Sequence, residues 1–123
     1  MLERDALAQI GIDVDEGIAC CAGDPEFFDE MVVEYLDESA ERLSELARLY
    51  KSRDWPQYTR CAHSIKSTSM MIGARSLADL ARTMESAGKE GNEAAILAKH
   101  DLFLGQYADL AANLRQGIPL EHG

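Results

Sequence analysis

Cys61-Ala62-His63-Ser64-Ile65-Lys66-Ser67-Thr68-Ser69-Met70-Met71-Ile72-Gly73 is the stretch that decides the fold. It holds no Gly or Pro before Gly73, and its apolar residues recur at helical spacing, which predicts one helix. At about 100° per residue, Cys61, Ile65 and Ile72, with Tyr58 upstream, fall within about 60° of one another. Ala62, Ser69 and Trp55 flank that stripe, and His63 points almost opposite it. The stripe predicts a rigid platform against a core. The histidine is predicted on the wet face, with Lys66 and the small Ser67 one turn on.

Outward from this segment the chain reads as all helix, without strand-like alternation. Upstream, Asp24-Pro25-Glu26 is a helix start, because Asp24 can cap, Pro25 tolerates the first turn and Glu26 suits the helix dipole. That helix is predicted to run to about Lys51, with Phe28, Val32, Tyr35, Leu36, Leu43, Leu46 and Tyr50 inside. Glu38 and Arg42 can pair across one turn outside. Asp54 opens the His63 helix, and Gly73 ends it as a C-cap. Ser76 is predicted to cap a shorter helix with Leu77, Leu80, Ala81 and Met84 inside. A last long helix follows Asn92, with Ile96, Phe103, Tyr107, Leu110 and Leu114 inside, and stops at Gly117 and Pro119. Two short helices, Leu2 to Gln9 and Asp13 to Cys21, precede all of these. Short connections favour antiparallel neighbours. The expected fold is therefore all-α, an antiparallel up-and-down four-helix bundle with one or two short N-terminal helices. It is read as a single domain over 1–123, with its core at about 11–116 and a tail at 117–123.

Composition narrows the function classes. The chain has 123 residues and is 46% hydrophobic, enough for one core, and no stretch approaches the ~20 apolar residues of a membrane span. Glu3, Arg4 and Asp5 break any signal-peptide pattern. The expectation is a cytoplasmic protein, and Met1 with the compact length favours a free-standing one. The formal charge of -10 repels a phosphate backbone and excludes nucleic acid as the expected partner. Three cysteines, two of them adjacent, are expected to be buried or reduced. No C-x-x-C spacing makes a zinc site, and no Glu-x-x-His offers the ligand pair of a di-iron bundle. No metal site is expected. His100 and His122 read as structural or incidental. A self-contained core favours a monomer.

The pattern resembles the histidine-containing phosphotransfer (HPt) domain of multistep phosphorelays. The motif residues are His63, Lys66 three residues on, small Ser67 next, and Gly73 ten residues past the histidine. Ala62, Ala74, Leu77, Leu80, Met84 and Glu85 match the flanks. Gly11-Ile12-Asp13 and Gly23-Asp24-Pro25-Glu26 resemble the usual lead-in. The likeness covers roughly residues 11 to 116. It departs from the family's pattern at Ser67, where the family most often has glycine.

The resemblance implies a phosphoryl carrier without an ATP site of its own, not an enzyme. His63 would accept a phosphoryl group from one receiver aspartate and pass it to another, and Lys66 would stabilise the phosphoryl oxygens. An imidazole suits this chemistry, since with an ordinary pKa near ~6.5 it is mostly a neutral nucleophile at cytosolic pH. The chain has no glycine-rich phosphate loop. The resemblance places the acceptor aspartate and Mg²⁺ on the partner receiver, so no cofactor is expected on this chain. Response-regulator receivers, and a hybrid sensor histidine kinase, are the implied partners. They would dock on Arg60, Ser67, Met70 and Met71 around His63. The alternative is a pseudo-HPt adaptor that binds receivers or kinases without carrying phosphate.

Overall fold

A computed structural model describes residues 2–117. Six helices account for the regular structure among them: α1 (Arg4–Gln9), α2 (Val14–Cys20), α3 (Pro25–Ser52), α4 (Trp55–Met71), α5 (Arg75–Lys89) and α6 (Glu93–Gly117). The long helices start where short polar side chains can cap them. Asp24 accepts from the backbone N–H groups of Glu26 and Phe27, Asp54 from that of Gln57, and Asn92 from that of Ala95. The two short helices follow the same rule, with Glu3 and Asp13 as caps.

One start differs from its sequence expectation. α5 begins at Arg75, with Ala74 in the cap position and no side chain bonded to the helix end. Ser76 lies inside the first turn. The reason is the turn before it. Gly73 takes φ +79°, its N–H reaches the Met70 carbonyl at 3.1 Å, and the Ala74 N–H reaches that of Ser69 at 2.8 Å. Those two bonds satisfy the open carbonyls at the end of α4 and bring the chain around so quickly that α5 starts before Ser76. Gly73 is also a docking point. Its carbonyl accepts from the Asp13 N–H at 2.8 Å, and a Cβ on it would lie 2.1 Å from the Asp13 carbonyl oxygen. Only glycine lets α2 seat against this turn.

Helices α3 to α6 form a closed ring. α3 packs on α4, α4 on α5, α5 on α6, and α3 closes on α6. The core runs along the axis, with Phe28, Leu46, Tyr58, Ile65, Leu77, Met84, Ile96, Phe103, Tyr107 and Leu114 all fully buried. Leu43, Tyr50 and Leu80 are half-buried at its margin. Full burial stabilises by roughly 1.5–3 kcal/mol for each large side chain, so the ring's interior rather than its polar contacts holds the fold. His100 sits in that interior, stacked on Tyr50 at 3.6 Å, with Nδ1 2.8 Å from the Tyr58 hydroxyl. It is structural, as its place in the apolar series Ile96, His100, Phe103 requires. Glu38 and Arg42 pair at 3.3 Å on the outside of α3. All three cysteines are free. Cys21 and Cys61 are buried, and Cys20 is exposed. Burial, reinforced by Glu45, pushes the Cys61 thiol up to about 12. Among the described residues no helix is long and apolar enough to cross a membrane. The expectation for Pro119 and the rest of the tail lies outside the described residues, as does His122.

Candidate functional site

The site is built on α4. Tyr58, Cys61, Ala62, Ile65 and Ser69 turn inward and are buried. The Ser69 hydroxyl lies 2.8 Å from that of Tyr35 on α3, which pins the far end of the helix to its neighbour. With that stripe fixed, the helical period forces Arg60, His63, Ser67 and Met70 outward, and all four are exposed. The His63 side chain keeps 56% of its surface accessible.

The neighbouring helix supplies what α4 lacks. α5 approaches α4 closely because Gly88 has no side chain, since a Cβ there would lie 1.9 Å from the Thr59 hydroxyl oxygen. The approach brings Glu85, only 5% exposed, under the histidine. Its Oε2 is 2.7 Å from His63 Nδ1, its Oε1 is 2.7 Å from Lys66 Nζ, and Lys89 Nζ stands 3.2 Å from Oε2. Burial pushes this carboxyl up, but the hydrogen bonds from Lys66, His63 and Lys89 outweigh it and hold the pKa down at about 2. Glu85 is therefore ionised at any working pH.

An ionised carboxylate only accepts hydrogen bonds, so Nδ1 must be the donor. In a neutral imidazole the remaining lone pair then belongs to Nε2. Among the described residues Nε2 makes no hydrogen bond, and the ring lies in an open groove with Thr59, Arg60, Ser64 and Lys89. The arrangement presents one nucleophilic nitrogen of fixed tautomer to solvent, with cations around it.

Lys66 lies beside His63 as the spacing predicts, but it is mostly buried and engaged by Glu85 rather than free. Met70 is 43% exposed and borders a groove with Cys20, Arg75 and Arg82, while Met71 is half-buried against the core. Gly73 holds the turn that ends α4.

Sequence reasoning gave Lys89 no place in the site, and it took Glu85 only as part of the motif's flank, with no role beside His63. The signal was present, because Glu85 continues the apolar stripe of Leu77, Ala78, Ala81 and Met84, all buried. A carboxylate on such a stripe must find positive or hydrogen-bonding partners. Among the described residues no group of three or more His, Cys, Asp or Glu side chains is arranged to hold a metal ion.

A family model, the Hpt domain, matches residues 30–118. The chain belongs to the Hpt domain family. Hpt domains are phosphocarrier modules of His–Asp phosphorelays, working with receiver domains and kinases and carrying no catalytic site of an enzyme's kind. The matched span runs from the first third of α3 to the end of α6, so it contains α4, α5 and α6, all but the first turn and a half of α3, and the His63–Glu85 pair. Helices α1 and α2 lie outside it. No curated protein and no solved structure matches the chain.

Proposed function

We propose that this Hpt domain is an active phosphorelay intermediate, with His63 as the phosphoacceptor. The observation that carries the reading is the Glu85–Nδ1 bond of 2.7 Å, which leaves Nε2 as the available nucleophile on a half-exposed ring. In the proposed step the Nε2 lone pair forms a bond to phosphorus as the bond from phosphorus to the donor aspartate oxygen breaks. The aspartate departs as a free carboxylate, and no proton moves. The Nδ1 proton stays against Glu85, whose charge offsets the positive charge the ring gains.

Lys66, one helical turn from His63 and bonded to the same carboxylate, supplies charge to the new phosphoryl oxygens, which is the main requirement of phosphoryl transfer. Arg60, Ser67 and Met70 form the surface on which the receiver docks, with Met71 behind Met70. The receiver brings its own aspartate and Mg²⁺. The reverse sequence passes the group to a second receiver.

The test is incubation with phosphorylated receiver domains, followed by analysis of the linkage. Phosphate on His63 is expected to be acid-labile and alkali-stable. Receivers that bind while His63 stays unmodified would make the protein an adaptor instead.

A further inference from the structure

Resting on His63 as the phosphoacceptor, we infer that the Glu85 charge also keeps the loaded ring ready to give its phosphoryl group away, by holding a proton on Nδ1 so that neutral imidazole is the group expelled. A ring phosphorylated on Nε2 has one titratable position left, which is Nδ1. If that proton is lost, breaking the N–P bond must expel imidazolate, a strong base and a poor leaving group. If the proton stays, the N–P electrons return to Nε2, phosphorus bonds to the acceptor carboxylate oxygen, and uncharged imidazole remains. The Nδ1 proton does not move in the step.

The charges that face the ring decide which case holds. From α4 come Lys66 and, in the same groove, Arg60, and from α5 come Glu85 and Lys89. The cations disfavour a proton on the ring, and the carboxylate favours it. Glu85 has the advantage of contact, at 2.7 Å from Nδ1, while both lysines bind the carboxylate oxygens rather than the ring. Their effect on Glu85 is to keep it ionised. Its near-complete burial shields that bond from competing water. Glu85 is thus a positioning residue with a second task, which depends on its charge and not only on its shape.

Glu85→Gln separates the two tasks, because the amide oxygen can still accept from Nδ1 while the charge is gone. The experiment loads the wild type and the variant with phosphoramidate, a small phosphoryl donor. It then titrates the phosphorylated ring by ¹⁵N NMR and follows loss of phosphate to water by ³¹P NMR. The ring midpoint is expected to fall by about one pH unit in Glu85→Gln, a tenfold loss of proton affinity. Loss of phosphate from the variant should then slow as pH rises through the neutral range, where the wild type stays fast. Lys89→Met, at an exposed position that tolerates change, is expected to raise the midpoint by removing a nearby cation. Equal midpoints for the wild type and Glu85→Gln, or a midpoint in Lys89→Met that does not rise, overturn the inference alone. Failure of phosphoramidate to label His63 in the wild type overturns it together with the phosphoacceptor reading.

Discussion

Glu85 follows His63 by 22 residues and sits on a different helix, yet its Oε2 lies 2.7 Å from His63 Nδ1. The pair joins the two halves of the α4–α5 hairpin across the site. Its geometry depends on the Gly73 turn, which reverses the chain, and on Gly88, which lets the helices close. Fold and chemistry meet in these few residues, and the first predictions concern them.

Lys66→Ala is expected to slow phosphoryl transfer without abolishing it, because in the proposed step the lysine supplies charge rather than the covalent bond. A charge-assisted hydrogen bond worth roughly 1.5–3 kcal/mol corresponds to about 10–150-fold in rate if fully expressed in the transition state. Single-turnover transfer from a phosphorylated receiver measures it. An unchanged rate would leave Lys66 with only the Glu85 ion pair as its role.

Gly73→Ala is expected to destabilise the protein, against the usual benefit of removing a glycine. The left-handed backbone costs an alanine about 1–2 kcal/mol, and the new Cβ would collide with the Asp13 carbonyl. Urea unfolding reads the loss. The Arg75 bridges to Asp13 and Glu16 should weaken at the same time, since α2 can no longer seat. A variant as stable as the wild type would contradict the account of this turn.

Acid stability should fall in two windows. Burial lowers the pKa of His100 below its ordinary 6.5, so the folded state prefers the neutral ring. That contribution is complete above pH 6.5 and is lost as pH falls below it. Glu85 is lowered from 4.5 to about 2, so its contribution is complete above 4.5 and is lost as pH falls toward 2. Melting temperatures against pH should therefore decline in both ranges. His100→Gln should flatten the upper decline and Glu85→Gln the lower one. Slopes that match the wild type in both variants would assign the acid sensitivity elsewhere.

Met70→Glu is expected to weaken receiver binding with little effect on folding, because Met70 is exposed and a receiver's acidic pocket repels another acid. Asp109→Lys, on the outer side of α6, is the distal control. Titration calorimetry with one receiver compares the two. Impairment by the control and not by Met70→Glu would move the docking face away from α4.

The helices were legible because their starts and stops are written in local residues such as Asp24, Asp54 and Asn92. The inner faces follow from a 3.6-residue period that any reader of the chain can count. Ser76 misled because a serine before an apolar run looks like a cap, while the true start is set by a backbone turn centred on Gly73 and braced by distant Asp13. His63 was legible by its position opposite the apolar stripe and by its spacing to Lys66, Ser67 and Gly73. Its partnership with Glu85 was not, since periodicity reports which face a residue takes and not what waits across the interface. The same limit hid the engagement of Lys66, which looks like a free surface lysine until α5 is in place. Met71 shows the finer version, for one position of rotation separates it from exposed Met70 and carries it onto the core.

The most direct test compares phosphoryl uptake by the wild type and His63→Gln from the same phosphorylated receiver, with circular dichroism on both. The account predicts an acid-labile, alkali-stable label on the wild type and none on the variant. Helicity should be unchanged and stability within about 0.5 kcal/mol, as befits a surface substitution. A label of equal stoichiometry on His63→Gln would contradict it, because another residue would then carry the phosphate.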